Sequence, residues 1–279
     1  MRCRPLRIAL TLLTAALVSV PARAWDYEST DALTGQVVQI RTAAEFTKKW
    51  SNGLRFSLEE ELRFNVFNSL YGPSFKKSYT TIDLAYAPVK YVKLDAGYSL
   101  KILGADSTWS AAKKADANEW IRHRVFFSVT GTYKFDHVKV YLRERALLEM
   151  RTDSVNPLEK NAYDWQLRSR LGAEGSLQGT ALKLYGWAEL SNTLNAPTYQ
   201  QKYAKNDPTT GSGHQFVSHV RTQAGIKWRV SKLSTLDFYY RFTYAYDRDI
   251  NITKTKGYIR LTEERLFVHS IGVSYNLDR

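Results

Sequence analysis

Charged and large apolar residues alternate one by one along much of this chain. Between residues 54 and 66 the even positions are mainly apolar, whereas the odd positions include Arg55, Glu59, Glu61 and Arg63. A period of two predicts a β-strand whose two faces differ in chemistry. Arginines and carboxylates on one face can form ion pairs or attract small ions, so the charged face is the first candidate for a functional surface.

The charged face repeats from strand to strand, which is typical of a transmembrane β-barrel with lipid outside and a polar lumen inside. Arginines outnumber carboxylates on this face. The predicted lumen-lining residues are Arg55, Glu59, Glu61, Arg63, Asp83, Asp95, Arg122, Arg124, Arg143, Arg145, Glu149, Arg168, Arg170, Glu174, Glu189, Arg221, Asp237 and Arg241.

Two arrangements of this lumen are open from the sequence. The charges can close the lumen as a network of ion pairs, because buried charges need partners. Alternatively, the excess of arginine lines a narrow wet passage that favours anions. In either arrangement the closely spaced arginines between residues 143 and 170 must be separated by Glu149, Glu174 or water.

A search for catalytic groups finds one weak candidate. The segment Lys49-Trp50-Ser51-Asn52-Gly53 is similar to the His-x-Ser-Asn-Gly segment of outer-membrane phospholipases, but Lys49 stands where a histidine base is required. The Asn-Gly pair instead predicts a tight turn. The five histidines show no metal-ligand spacing, so we expect no enzyme activity, metal or cofactor. The alternative is a barrel-embedded hydrolase that acts on lipid or peptide, and carboxylates of the long loops are candidates for an acid protease-like activity.

The alternation predicts eleven strands in one domain, joined by connections that are short and long in turn. This pattern predicts periplasmic turns and extracellular loops. Because bacterial barrels have even strand numbers, a further strand is expected in residues 25–32, which gives an all-β, antiparallel up-and-down barrel of about twelve strands, with ten as the alternative. The predicted strands are 36–47, 54–67, 76–88, 91–103, 118–131, 137–151, 162–177, 180–193, 214–229, 232–247 and 264–277.

Three polar residues break the alternation because they fall on the lipid-facing positions. They are Glu60, His123 and Glu144. A charge at the bilayer midplane costs a few kcal/mol, so we expect either a position near the membrane interface or a β-bulge at each of them.

The first 24 residues have the features of a secretory signal peptide. Arg2, Arg4 and Arg7 precede an apolar run over residues 8–20, and Ala22-Arg23-Ala24 supplies a small-x-small cleavage site. We therefore expect a signal peptide over residues 1–24 and an outer-membrane barrel over residues 25–279. The only cysteine, at position 3, is expected to be removed with the signal peptide.

The chain is basic, with a formal charge of +13 that falls to +9 without the four arginines of the predicted signal peptide. No basic cluster or zinc spacing accompanies this charge, so we expect no nucleic-acid partner. The expected partners are outer-membrane lipid, lipopolysaccharide and the barrel assembly machinery. Loop lysines suited to lipopolysaccharide phosphates are Lys76, Lys77, Lys113, Lys114, Lys202, Lys205, Lys254 and Lys256.

Short motifs lie at strand positions throughout residues 36–277. They are Glu61-Leu62-Arg63-Phe64-Asn65, Leu94-Asp95-Ala96-Gly97-Tyr98, His123-Arg124, Tyr141-Leu142-Arg143-Glu144-Arg145, Leu167-Arg168-Ser169-Arg170 and Trp187-Ala188-Glu189-Leu190. With these motifs the chain resembles a group of Gram-negative outer-membrane barrel proteins catalogued as domain-of-unknown-function family 2490. The resemblance implies a barrel and a location, and it implies no activity. We expect a non-catalytic barrel, either a small passive pore that prefers anions or a structural surface protein.

We predict that the protein is recovered in the outer-membrane fraction with Trp25 as its first residue. The folded barrel is also expected to migrate differently from its heat-denatured form on an electrophoresis gel. Cell fractionation, N-terminal sequencing and gels run with and without heating check this expectation. Recovery as a soluble periplasmic protein would contradict membrane insertion.

Overall fold

The predicted all-β barrel is confirmed. The computed structural model describes residues 30–104, 120–152, 161–199, 210–253 and 258–279, and these residues form eleven β-strands in one closed barrel. The strands are β1 (Thr30–Lys49), β2 (Leu54–Asn68), β3 (Ser74–Val89), β4 (Val92–Leu103), β5 (Ile121–Phe135), β6 (Val138–Arg151), β7 (Tyr163–Ser176), β8 (Leu182–Tyr199), β9 (Thr210–Arg229), β10 (Ser234–Thr253) and β11 (Tyr258–Asp278).

The barrel closes through a parallel pair, whereas every other neighbouring pair of strands is antiparallel. β1 pairs with β11 from Thr30 opposite Leu261 to Thr47 opposite Asp278. The chain end fastens this seam, because Arg279 donates its backbone N–H to the Thr47 carbonyl at 2.7 Å. Consequently β1 begins at the barrel end with the long connections, and β11 ends at the other.

The expected extra strand in residues 25–32 is not a separate strand where the structure describes this segment. Residues 30–32 are the start of β1, which continues without a break to Lys49. Residues 25–29 and the predicted signal peptide lie outside the described residues. An even number of strands is required when every neighbouring pair is antiparallel. Here the parallel pair of β1 and β11 closes the barrel with eleven described strands, without a twelfth.

All five connections at the barrel end where β1 finishes are short turns of two to five residues. Gly53 and Gly179 adopt φ values of +84° and +71°, and Asp136 adopts +48°. These left-handed conformations favour glycine, and aspartate tolerates them. The Asn52 side chain also accepts a hydrogen bond from the Leu54 N–H at 3.1 Å, so the predicted Asn-Gly turn is built as an Asx-type turn.

The two faces of the strands separate as the alternation requires. Outward side chains such as Leu84, Phe127 and Ile271 are 51%, 51% and 66% exposed. On the inward face Ser128 and Glu189 are 0% and 2% exposed. The wall of the barrel is therefore apolar outside and polar inside, and many of its inward polar and charged side chains are buried. None of the described residues belongs to a helix that is long and apolar enough to span a membrane.

Glu60, His123 and Glu144 point outward without a β-bulge, because the strand register is unbroken at each position. Each side chain is matched by a hydroxyl group on the neighbouring strand. Thr80 donates to Glu60 at 2.5 Å, Ser169 donates to Glu144 at 2.7 Å, and the Tyr98 hydroxyl lies 2.6 Å from Nδ1 of His123. The expectation of a bulge is wrong at these positions, and these hydrogen bonds lower the cost of an outward polar group.

Candidate functional site: the charged lumen

The barrel encloses a cavity of about 760 Å³, and its wall consists almost entirely of inward strand positions. Among the described residues, sixteen lysines and arginines and ten aspartates and glutamates line it. The wall therefore carries an excess of positive charge. The cavity reaches from Lys76, Leu103 and Asn161 near the long connections to Arg55, Lys93 and Arg241 in the opposite half of the barrel.

Inward glycines make room for aromatic rings on the neighbouring strands. A Cβ atom added to Gly97 would lie 2.4 Å from Cζ of Phe126, and one added to Gly272 would lie 2.1 Å from Cζ of Tyr239. The rings therefore lie flat against the wall. Guanidinium groups stack on them, with Arg145 4.1 Å from the ring centre of Phe126. Such cation–π contacts hold arginine side chains along the wall instead of across the lumen.

Glu189 is the most heavily shared carboxylate of the lumen. Arg221 and Arg170 reach its carboxylate oxygens at 2.7 Å, and Arg143 reaches them at 3.3 Å. The side chain of Glu189 is 2% exposed, so one buried negative charge is surrounded by three positive ones. Arg170 also stacks over Trp187 at 3.8 Å, which fixes the orientation of its guanidinium group.

Other carboxylates of the wall are shared in the same way. Glu149 accepts a hydrogen bond from Lys101 at 2.8 Å and another from Nε of Arg124 at 2.5 Å. Asp95 lies 3.6 Å from Arg145 and 3.7 Å from Lys93. On β2 and β3, Glu61 binds Arg63 and lies 3.7 Å from Arg41, and Asp83 lies 3.3 Å from Arg55.

Our prediction of which groups separate the central arginines is therefore partly wrong. We expected Glu149, Glu174 or water between them, but Glu189 and Asp95 provide the carboxylates in the structure. Glu189 is the direct cross-strand partner of Arg170. Glu174 lies nearer the short turns, where Lys227, Lys183 and Lys139 approach it at 2.8, 3.3 and 3.7 Å.

Sixteen of the eighteen residues predicted for the lumen line the cavity. The two others, Glu174 and Asp237, face inward between the cavity and the short turns. Asp237 accepts a hydrogen bond from the Tyr185 hydroxyl at 2.9 Å, and that hydroxyl in turn accepts one from Gln223 at 2.6 Å. The sixteen are Arg55, Glu59, Glu61, Arg63, Asp83, Asp95, Arg122, Arg124, Arg143, Arg145, Glu149, Arg168, Arg170, Glu189, Arg221 and Arg241.

Several cavity residues were missing from the predicted set although they share the parity that identified it. Arg41 lies on β1 in register with Arg63, and Lys77 and Tyr79 lie on β3 in register with Arg63 and Glu61. Tyr79 makes cation–π contacts with two arginines, because the guanidinium carbons of Arg63 and Arg124 lie 4.5 and 5.0 Å from its ring centre. Counting every odd position of these two strands would have included all three residues.

Two arginines of the wall bind amides instead of carboxylates. Arg168 donates from Nη2 to Oε1 of Gln166 at 2.9 Å, and Arg241 donates from Nε to Oε1 of Gln223 at 2.6 Å. No aspartate or glutamate of the described residues lies within salt-bridge distance of either guanidinium group. These side chains are the clearest source of uncompensated positive charge in the cavity.

The phospholipase-like segment lies outside this cavity, in the turn between β1 and β2. The Lys49 ammonium group pairs with Asp278 at 2.8 Å across the seam. Lys49 therefore takes part in fastening the seam instead of facing Ser51 as a base. Within the described part of the chain, no group of three histidine, cysteine or acidic side chains is arranged to hold a metal ion.

Comparison with known families agrees with the sequence motifs. A family model described as a protein of unknown function, DUF2490, matches residues 39–253, which is more than half of the 279 residues. The chain belongs to this family, so the resemblance inferred from the motifs is confirmed. No curated protein matches the chain.

Replacement of Glu189 by glutamine is predicted to destabilise the barrel strongly. The change leaves three arginines without the carboxylate that they share, and removing one partner of a buried ion pair costs about 3–5 kcal/mol. Glu174→Gln is the matched control, because the lysines around Glu174 are 35–39% exposed. Its loss is expected to stay below about 1 kcal/mol. Urea unfolding of the refolded barrel measures both variants, and equal losses would contradict the assignment.

Proposed function

We propose that this protein is a non-catalytic outer-membrane β-barrel whose lumen is a small pore that prefers anions. The observation that carries the proposal is the wall of the cavity, on which sixteen cationic side chains face ten acidic ones among the described residues. Fixed charge at close quarters sets which ions enter a pore. An excess of arginine and lysine attracts anions and repels cations.

The outer surface supports membrane insertion. Exposed aromatic side chains lie near both ends of the barrel, and apolar side chains lie between them. Trp50, Tyr91 and Tyr133 are at the end with the short turns, whereas Tyr163 and Trp165 are at the other end. Two aromatic girdles around an apolar band are typical of outer-membrane barrels, because tyrosine and tryptophan favour the membrane interfaces.

The N-terminal sequence supports export through the inner membrane. The arginines before residue 8, the apolar run over residues 8–20 and the small residues at Ala22 and Ala24 match the three regions of a cleaved signal. Export and an apolar outer face together favour the outer membrane of a Gram-negative bacterium. Lipid and lipopolysaccharide are then the surroundings of the barrel.

The geometry of the lumen favours a pore over the hydrolase alternative. A serine hydrolase needs a base within hydrogen-bond distance of its nucleophile. In the described residues the lysine nearest to such a role, Lys49, is paired with Asp278, and no histidine lies in that turn. The charged cavity residues bind one another and stack on aromatic rings, which is an arrangement for holding charge on a wall.

We predict that the refolded barrel conducts ions in a planar bilayer and that chloride is more permeant than potassium. Under a potassium chloride gradient the reversal potential gives this preference. Arg143→Glu and Arg168→Glu are each expected to shift the reversal potential toward cation preference, because each reverses a charge on the cavity wall. The exposed turn variant Lys232→Glu makes the same change in net charge outside the lumen and is expected to behave as the wild type.

Two results would contradict the proposed pore function. Cation preference in the wild type would contradict the role of the arginine excess. Absence of conductance, with charge reversal at Arg143 and Arg168 lowering only the stability, would favour a closed structural barrel instead.

A further inference from the structure

Arg168 occupies a position on the cavity wall that lacks an anionic partner. Its Nη2 group donates to Gln166 at 2.9 Å, whereas its buried Nε group has no hydrogen-bond partner. Ser191, its cross-strand neighbour on β8, is fully buried and also has an unpartnered hydroxyl group. Buried polar groups normally have partners, and Arg168 lines the polar cavity, so its unsatisfied guanidinium group indicates room there for an anionic ligand.

The charges around Arg168 are mainly positive. Arg145 is the direct cross-strand neighbour of Arg168 on β6, and Arg221 and Arg124 line the same cavity. Glu189 is the one carboxylate among the four charged groups that act most strongly on Arg168. The positive charge of Arg63, which lies on β2 across the lumen, also acts on Arg221. The positive potential therefore comes from several walls and converges on the interior of the cavity.

The carboxylates near this cluster are already shared among other cations. Glu189 serves Arg143 and Arg170 as well as Arg221. In the same way Glu149 is bound by Lys101 besides Arg124, and Asp95 is near Lys93 besides Arg145. Three carboxylates thus face seven cations, or eight when Arg168 is included. More than one negative charge must come from outside to neutralise the cluster.

We propose that the lumen contains a binding site for a phosphate group, centred on Arg168 and faced by Arg124 and Arg221. This proposal deepens the proposed anion preference and rests on it. Guanidinium groups present planar pairs of donors that match the oxygens of phosphate, and a dianion gains more from several arginines than chloride does. The cavity of about 760 Å³ has room for inorganic phosphate or for a small phosphate monoester.

The sharpest test is Gln166→Glu. This nearly isosteric change places a carboxylate at the amide position 2.9 Å from Arg168, so the protein supplies its own anion and the fold is not weakened. Gln178→Glu, in the turn between β7 and β8, makes the same change in net charge outside the cavity. Arg168→Gln removes the central cation directly and serves as the second variant.

Equilibrium dialysis with radiolabelled inorganic phosphate measures binding to the full barrel in a phosphate-free detergent. We expect saturable binding that excess chloride displaces poorly, a loss of affinity of roughly tenfold or more in Gln166→Glu and Arg168→Gln, and wild-type affinity in Gln178→Glu. Competition by glucose 6-phosphate, compared with unlabelled phosphate, distinguishes a monoester from the free ion. Absence of saturable phosphate binding, or equal binding in all variants, would overturn the site.

Binding and conduction fail independently, so the two proposals can be separated. Anion-selective conductance without phosphate binding would overturn the phosphate site and leave the pore. Phosphate binding that responds to Gln166→Glu, in a barrel that does not conduct, would overturn the pore and retain the site.

Discussion

The sharing of Glu189 by three arginines illustrates the constraint on which the rest of the lumen depends. A charge that is removed from water must have a partner close by, because its desolvation costs several kcal/mol. Glu189 is buried on β8, and its arginines come from β6, β7 and β9. The ion pairs therefore connect four consecutive strands on the inside, in addition to the backbone hydrogen bonds between them.

The same constraint explains the other inward residues. Arginine side chains are too long to remain on a narrow lumen wall unless something holds them there, and the aromatic rings that lie over inward glycines do so. Phe126 over Gly97 supports Arg145, and Tyr239 over Gly272 supports Arg241. The small buried residues Ser128 and Ser270 leave space between these side chains. As a result the centre of the barrel is a cavity instead of a packed core.

Much of this architecture follows from the sequence because the side-chain period of a strand is a local property. The predicted strand at 54–67 corresponds to β2 (Leu54–Asn68), and that at 137–151 corresponds to β6 (Val138–Arg151). The way the barrel closes could not be predicted in this way. The parallel pairing of β1 with β11 joins strands that are far apart in the sequence, so no local pattern of residues indicates it. The parity analysis likewise identified lumen-facing charges but not their partners. Which carboxylate an arginine meets depends on the register between strands, and this register made Glu189 the shared partner.

The central claim is that one face of each strand borders a wet, cation-rich lumen while the other contacts lipid. Cysteine at Thr81, which lines the cavity, and at its outward neighbour Ile82 tests both parts in reconstituted liposomes. The only native cysteine lies in the predicted signal peptide, so no thiol competes. We expect a water-soluble thiosulfonate to label Thr81→Cys but not Ile82→Cys, and an anionic reagent to react faster than a cationic one of similar size. Labelling of Ile82→Cys alone, or faster reaction with the cationic reagent, would contradict the account.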